Sequence, residues 1–306
     1  MPSSLLIDSL VRSLQVGSLY ALMALGITLT MSVIRLPNFA HAEYITVGGY
    51  TALLVSFGLS NNPLVVLSLS FIVAALVALV SHYAVFRPME KQNTSTYTML
   101  LASFAVGLIL RYIIFLLVDR FELFDKRIQV PLEIWYRNNP LILTNIFFWV
   151  VASSIGLVIF LSLLLNRTPL GREMRALANN LELAKVIGIR VSRVKNLTWL
   201  LVGGLAGLAG ALWGMYSTVS PLMGWFAILS VFAAAILGGM SSFPGTIMGA
   251  YLVSFSENTV MQFLNYYLGV DFNFKPAIPF IIIVLVLMLR PQGFTGFFDT
   301  ARGLRR

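Results

Sequence analysis

Apolar residues run along this chain in long unbroken blocks rather than in alternation with polar ones. Blocks near the length of a membrane span occupy 14–34, 39–59, 64–86, 97–118, 141–165 and 197–219. A longer apolar stretch covers 225–263, interrupted at Gly238-Gly239 and again at Phe243-Pro244-Gly245, and the last block is 277–289. A helix needs about 20 apolar residues to cross a bilayer. Backbone polar groups inside hydrocarbon must be satisfied internally, by a helix or a closed barrel, and unbroken rather than alternating blocks select helices. The pattern predicts an all-α polytopic membrane protein with about eight transmembrane segments. It places a broken or re-entrant segment near Gly238-Gly245, with Gly238, Gly239, Pro244 and Gly245 forming the break.

Composition supports that reading. The chain has 306 residues, 58% hydrophobic and 11% charged, and its mean hydropathy is +0.87. A soluble domain carries about 25% charged residues, so this chain lacks the polar surface to face water on all sides. Residues 1–306 read as a single transmembrane domain with no removable leader.

Net charge is +9, and the basic residues collect in loops, where they set orientation. Arg167, Arg172, Arg175, Lys185, Arg190, Arg193 and Lys195 crowd the loop 166–196 against only Glu173 and Glu182. That loop is expected in the cytoplasm, with Arg87, Lys91 and the tail residues Arg302, Arg305 and Arg306. The balanced loop 119–140 is expected outside. Loop and tail share a side only if the chain crosses an even number of times between them, so either 225–263 re-enters or it is two short spans.

Within the basic loop, "LGREMRALANNLELAKVIGI" is the longest polar helical pattern in the chain. Met174, Leu177, Ala178, Leu181, Ala184 and Gly188 recur at steps of three or four, and Arg172, Arg175, Asn179, Glu182 and Lys185 take the other face. This predicts one short amphipathic helix, preceded by Gly171 and stopped by Gly188, with Ser192 capping the next span. Such a helix either lies on anionic lipid or docks into a groove of a cytosolic partner.

Two more stretches stand out. In "LPNFAHAEYITVGGY", Asn38, His41 and Glu43 sit next to apolar depth. Ionisable residues there either line a translocation pathway or bond to a neighbouring helix from a helix start. In "LVGGLAGLAGALWG", Gly203, Gly207, Gly210 and Gly214 fall on one helix face and let another helix approach closely. His82 reads as a polar residue near the membrane interface.

Absences narrow the function. There are no cysteines and two histidines, and no phosphate-binding G-x-x-x-x-G-K-[ST] loop, so ATP is not expected to bind this chain. No metal site or catalytic constellation assembles from the residues, and no cofactor or nucleic-acid partner is expected.

The stretch from Leu170 through "KVIGIRVSRVKNLTWLLVGGLAGLAGALWG" resembles the permease subunits of ABC importers of the branched-chain amino acid (LivH/LivM) family. "GSLYALMALGITLTMSVIRLPNFAHAEYITVGGY" is similar to that family's first span and N-F-A-H-G signature, with Ala42 in place of the glycine. "AAILGGMSSFPGTIMGA" is similar to its L-G-G-x-G-S-x-P-G motif, altered at Met240 to Phe243. Together these cover about a third of the chain and lean to the LivH type.

The resemblance implies a non-enzymatic, multi-pass cell-membrane permease working by alternating access and driven by separate ATPase subunits that bind the ATP. It implies a second related permease subunit and an extracytoplasmic substrate-binding protein. The loop 166–196 becomes a coupling loop, with Arg172, Arg175, Leu177, Leu181, Glu182, Ala184 and Gly188 meeting the ATPase. The other readings are an importer of urea or short amides, and an ion-coupled secondary transporter titrating His41 and Glu43.

Overall fold

The structure, a computed structural model, describes residues 3–131, 133–138, 141–289 and 293. The helices, in chain order, are α1 (Ser3–Leu29), α2 (His41–Gly58), α3 (Pro63–Ser81), α4 (Arg87–Lys91) and α5 (Thr96–Arg120). A hairpin of β1 (Ile134–Asn138) and β2 (Leu141–Thr144) follows. Then come α6 (Asn145–Arg167), α7 (Pro169–Asn179), α8 (Leu181–Val186), α9 (Val191–Tyr216), α10 (Met223–Gly238), α11 (Phe243–Phe255), α12 (Met261–Leu268) and α13 (Ala277–Leu289).

π-helical turns extend α1 to Ile34, link α3 to α4 across His82–Phe86, and join α11 to α12 across Ser256–Val260. Among the described residues six helical runs are long and apolar enough to cross a membrane: Ser3–Ile34, Pro63–Lys91, Thr96–Arg120, Asn145–Arg167, Val191–Tyr216 and Phe272–Leu289. The protein is an all-α, multi-pass membrane protein, and the two short strands lie between candidate spans.

Several boundaries differ from the sequence expectation, each for a local reason. α1 begins at Ser3 rather than 14 because its polar residues satisfy themselves along the helix. Ser9 and Ser13 donate back to Leu6 O and Ser9 O, at 2.8 and 2.7 Å, and Arg12 pairs with Asp8 at 2.8 Å one turn away. The apolar block 141–165 begins with a strand, because Asn145 ends it. The Asn145 Nδ2 donates to Pro131 O at 2.7 Å and its Oδ1 accepts from Glu133 N at 3.2 Å. α9 starts from Arg190 with no side-chain cap, so Ser192 does not cap it.

The chain groups into two compact units, 1–28 with 131–154 and 227–306, and 29–130 with 155–226. In the second unit α9 is gripped by α2 and α3. A methyl on Gly203 would strike Ala74 O and the Ala75 and Ala78 atoms of α3. One on Gly207 would strike Ser70 O and Ala74, and one on Gly210 would strike Ile45 O of α2. Gly48 of α2 in turn leaves room for the Gly207 backbone.

The glycine series therefore serves two neighbours, not one, and Gly214 faces Ile128 and Val219 rather than a third helix. Small residues allow such backbone contact, and packing then drives association in lipid. Below this contact Trp199 is fully buried, with its ring 4.8 Å from Phe86 and 5.4 Å from His82. His82 is thus an enclosed stacking partner, 2% exposed, rather than an interface residue.

In the first unit α1 runs against α11 and the π-turn after it through hydroxyl pairs: Thr28–Thr246 at 2.7 Å, Ser18–Tyr251 at 3.0 Å and Ser13–Thr259 at 2.9 Å. The predicted break is a turn between two helices. α10 ends at Gly238, and Gly239 and Met240 take φ of +93° and +52°. Ser242 then accepts from Gly245 N at 3.2 Å as the cap of α11, with Pro244 in the first turn. Gly238 and Gly245 carry no side chain where α10 and α11 fold back on each other, and Gly249 lies against Ala234 O. The two helices are separate, so among the described residues four helical runs (α9, α10, α11–α12 and α13) follow the basic loop, an even number. The tail residues Arg302, Arg305 and Arg306 lie outside the described residues.

Gly210→Val is expected to destabilise the folded protein by about 1–3 kcal/mol, the cost of overpacking a filled site. Gly58→Ala, where nothing lies within 4 Å of the added methyl, should change it little. Thermal unfolding in detergent, followed by loss of the monodisperse peak, checks the difference.

Candidate functional site

The basic loop is built as a rigid corner with a projecting tip. Thr168 caps α7, its Oγ1 accepting from Gly171 N at 3.1 Å, and Pro169 occupies the first turn, where its missing N–H is no loss. Gly171 is buried because a side chain there would overlap Leu164 O and Leu165 O at the end of α6. The Arg175 guanidinium donates to Leu165 O across the same corner. Met174 and Leu177 are 1% and 2% exposed, and Arg35, at the end of the α1 run, donates to Ala178 O at 3.1 Å.

The single helix expected over this stretch is two. Asn180 leaves the helical region, with φ −152° and ψ 110°, ends α7, and caps α8 by accepting from Leu183 N at 3.0 Å. A short polar side chain that can bond its own backbone two or three residues on competes with helix continuation. α8 ends in a glycine turn. Gly188, at φ +83°, donates to Lys185 O at 3.1 Å and Ile189 N donates to Ala184 O at 3.0 Å. This is the pattern in which a left-handed glycine satisfies the last carbonyls of a helix, so Gly188 stops the helix as expected.

The break changes which side chains face out. Leu177 and Ala184, at 2% and 1% exposure, belong to the interior. They pack into the loop's interior rather than standing on its outward face. Leu181 is half-buried, while Arg172, Arg175 and Glu182 are exposed. Glu182 pairs with Lys185 at 2.7 Å. The outward apolar side chains are Leu183, Val186 and Ile187, at 58%, 82% and 64% exposure. Sequence reasoning missed them although they stand at i, i+3 and i+4, because one continuous helix put the stripe on the opposite face.

The polar cluster at the start of α2 is enclosed rather than open. Asn38, His41 and Glu43 are all 0% exposed. The Asn38 Oδ1 accepts from Ala40 N at 3.1 Å, and Phe39 N donates to the Ser103 Oγ of α5 at 3.1 Å. His41 stands edge-on to Tyr44, centroids 6.4 Å apart. Ala42, in the place of a family glycine, sits in ordinary helical backbone, and the glycine is needed opposite it, where a side chain on Gly224 would overlap Ala42 O.

Glu43 has an ionic partner that sequence reasoning missed. Arg111, on α5, donates to Glu43 Oε1 from Nε at 2.9 Å and from Nη2 at 2.7 Å. Its guanidinium also lies 4.2 Å from the centre of the Trp225 ring. The signal was present: a lone arginine inside the apolar block 97–118. The ion-coupled alternative had joined Glu43 to His41, whereas the ion pair runs to Arg111. Glu257 was missed as well. It is 3% exposed, within the π-turn after α11, and accepts from Tyr20 at 2.7 Å and from Ser230.

Residues 9–288 match the family described as "Branched-chain amino acid transport system / permease component". A probable branched-chain amino acid transport permease protein LivH of Methanocaldococcus jannaschii is 34% identical over 284 residues, 92% of this chain and 89% of that protein. The high-affinity branched-chain amino acid transport system permease protein BraD of Pseudomonas aeruginosa is 30% identical, over 95% of each. Among solved structures, PsaBC from Streptococcus pneumoniae in complex with Fab is similar at a TM-score of 0.50 and 15% identity, covering 94% of this chain and 92% of that one, a likeness of fold. With a family match over nearly its whole length and relatives that align end to end, this chain belongs to the branched-chain amino acid transport system permease family.

Proposed function

We propose that the chain is the membrane-embedded permease subunit of an ABC importer for branched-chain amino acids. ATP hydrolysed by separate cytosolic subunits drives it, and a binding protein on the opposite side delivers substrate. A second, related permease completes the pathway. The observation that carries this reading is the α7–α8 corner. An apolar triad of Leu183, Val186 and Ile187 projects from a two-helix loop whose own interior is filled by Met174, Leu177 and Ala184.

The physical argument is one of leverage. A force applied at α8 reaches the spans only if the loop does not deform. Gly171 in van der Waals contact with α6, the bond from Arg35 to Ala178 O and the buried Leu177 tie α7 to its unit. Apolar anchors at helical spacing with a charged surround suit a helix seated in a protein groove. In this reading Arg172, Arg175 and Glu182 form the charged rim around the triad, and the rim sets orientation and rate of encounter more than affinity.

Val186→Asp combined with Leu183→Asp should strip the ATPase subunits from the purified permease and abolish uptake of leucine into proteoliposomes, while the permease itself stays folded. Copurification at the unmodified level with normal uptake would sink the docking role.

Leu177→Asp should act differently. It buries a carboxylate among apolar side chains, a cost of several kcal/mol unless the group finds a partner, and should lower permease stability before any question of docking arises. A folded, thermally normal Leu177→Asp permease that merely fails to bind ATPase would contradict the assignment of Leu177 to the loop's interior.

A further inference from the structure

The Glu43–Arg111 pair is unevenly used. Both bonds from Arg111 fall on Glu43 Oε1. Glu43 Oε2 is buried with no hydrogen-bond partner among the described residues, and Arg111 keeps a second terminal nitrogen beyond the two that bond. The glutamate side chain is 0% exposed and the arginine 11%. Beside the pair stands an aromatic wall. Trp225 lies under the guanidinium, Phe104 is 6.1 Å from Trp225, and Phe39 is 6.3 Å from Phe104. Phe104 is 40% exposed.

Opening such a pair in an apolar surround leaves a bare charge on each side, and breaking a buried pair by removing one partner is strongly unfavourable. A neutral amide compensates neither charge. A simple cation compensates Glu43 and strands Arg111, and a simple carboxylate does the reverse. Only a ligand with both an ammonium and a carboxylate can exchange with the pair one charge for one charge.

We propose that Glu43 and Arg111 form a subsite for the zwitterionic head of an amino acid, with Phe104 and Trp225 as the wall for its aliphatic side chain. The subsite is closed on itself when empty. Substrate carboxylate takes the Arg111 guanidinium, substrate ammonium takes Glu43, and no net charge is added to the membrane interior. This rests on the amino-acid permease reading and names how the chain itself recognises that substrate.

The test uses the full complex in detergent without its binding protein, probed with radiolabelled leucine. Valine and isoleucine should displace the label. Leucinamide, which lacks the carboxylate, and 4-methylpentanoate, which lacks the ammonium, should be weaker by about tenfold or more, as sites built around a polar group reject analogues that lack it. In proteoliposomes with the binding protein, Arg111→Gln and Glu43→Gln should lower the turnover of leucine uptake with its KM unchanged, while ATPase subunits copurify normally.

Equal displacement by either one-charge analogue, no retained label at millimolar leucine, or normal turnover in both variants would overturn the subsite. An unmodified complex that imports no leucine would instead overturn the permease reading beneath it.

Discussion

The backbone contact of α9 with α2 and α3 is the constraint on which the larger unit depends. At Gly207 and Gly210 there is no room for a methyl group on the α9 face. The helices therefore approach through their backbones, and everything attached to them inherits that spacing. Trp199, one turn below Gly203, is locked between the Phe86 and His82 rings because α3 and α9 are already that close. The start of α2 is held at a depth where Glu43 meets Arg111. In lipid, where burial of apolar surface gives helices little reason to associate, this packing supplies much of the cohesion.

The α7–α8 corner is the second consequence. α9 starts just after the glycine turn that ends α8, so the position of the tip follows from the position of α9. Gly188 at positive φ ends α8 within one residue, and Asn180 starts it within one residue. Between these two stops only six residues form the helix, too few for independent stability. Its conformation is imposed by its caps and by the buried Ala184, which makes it a rigid projection rather than a flexible arm.

Much of this was legible in the residues and some was not. The spans, the helix break at Gly238-Gly239 and Pro244-Gly245, and the close-packing glycines follow from unbroken apolar blocks and small-residue spacing, which are local signals. The direction of the loop stripe was misread because periodicity assumes one helix, and Asn180 shifts the phase halfway. Burial of Leu177 and Ala184 depends on what lies against them, which no local pattern contains. The Glu43–Arg111 pair joins residues 68 apart in sequence. Each is visible as a charge in an apolar block, but the pairing is tertiary. The second strand of the hairpin, β2, hid in the apolar block 141–165 because its residues are as apolar as a span.

The central claim is that force enters at the outward face of α8. The chain contains no cysteine, so single thiols can be placed without background. Val186→Cys and, on the buried face, Ala184→Cys should be reacted in the assembled transporter with a short bifunctional crosslinker. The account predicts a permease–ATPase adduct from position 186, lost when the complex is dissociated before reaction, and none from position 184. An adduct from 184 with none from 186, or no adduct from either in a complex that transports leucine, would contradict it.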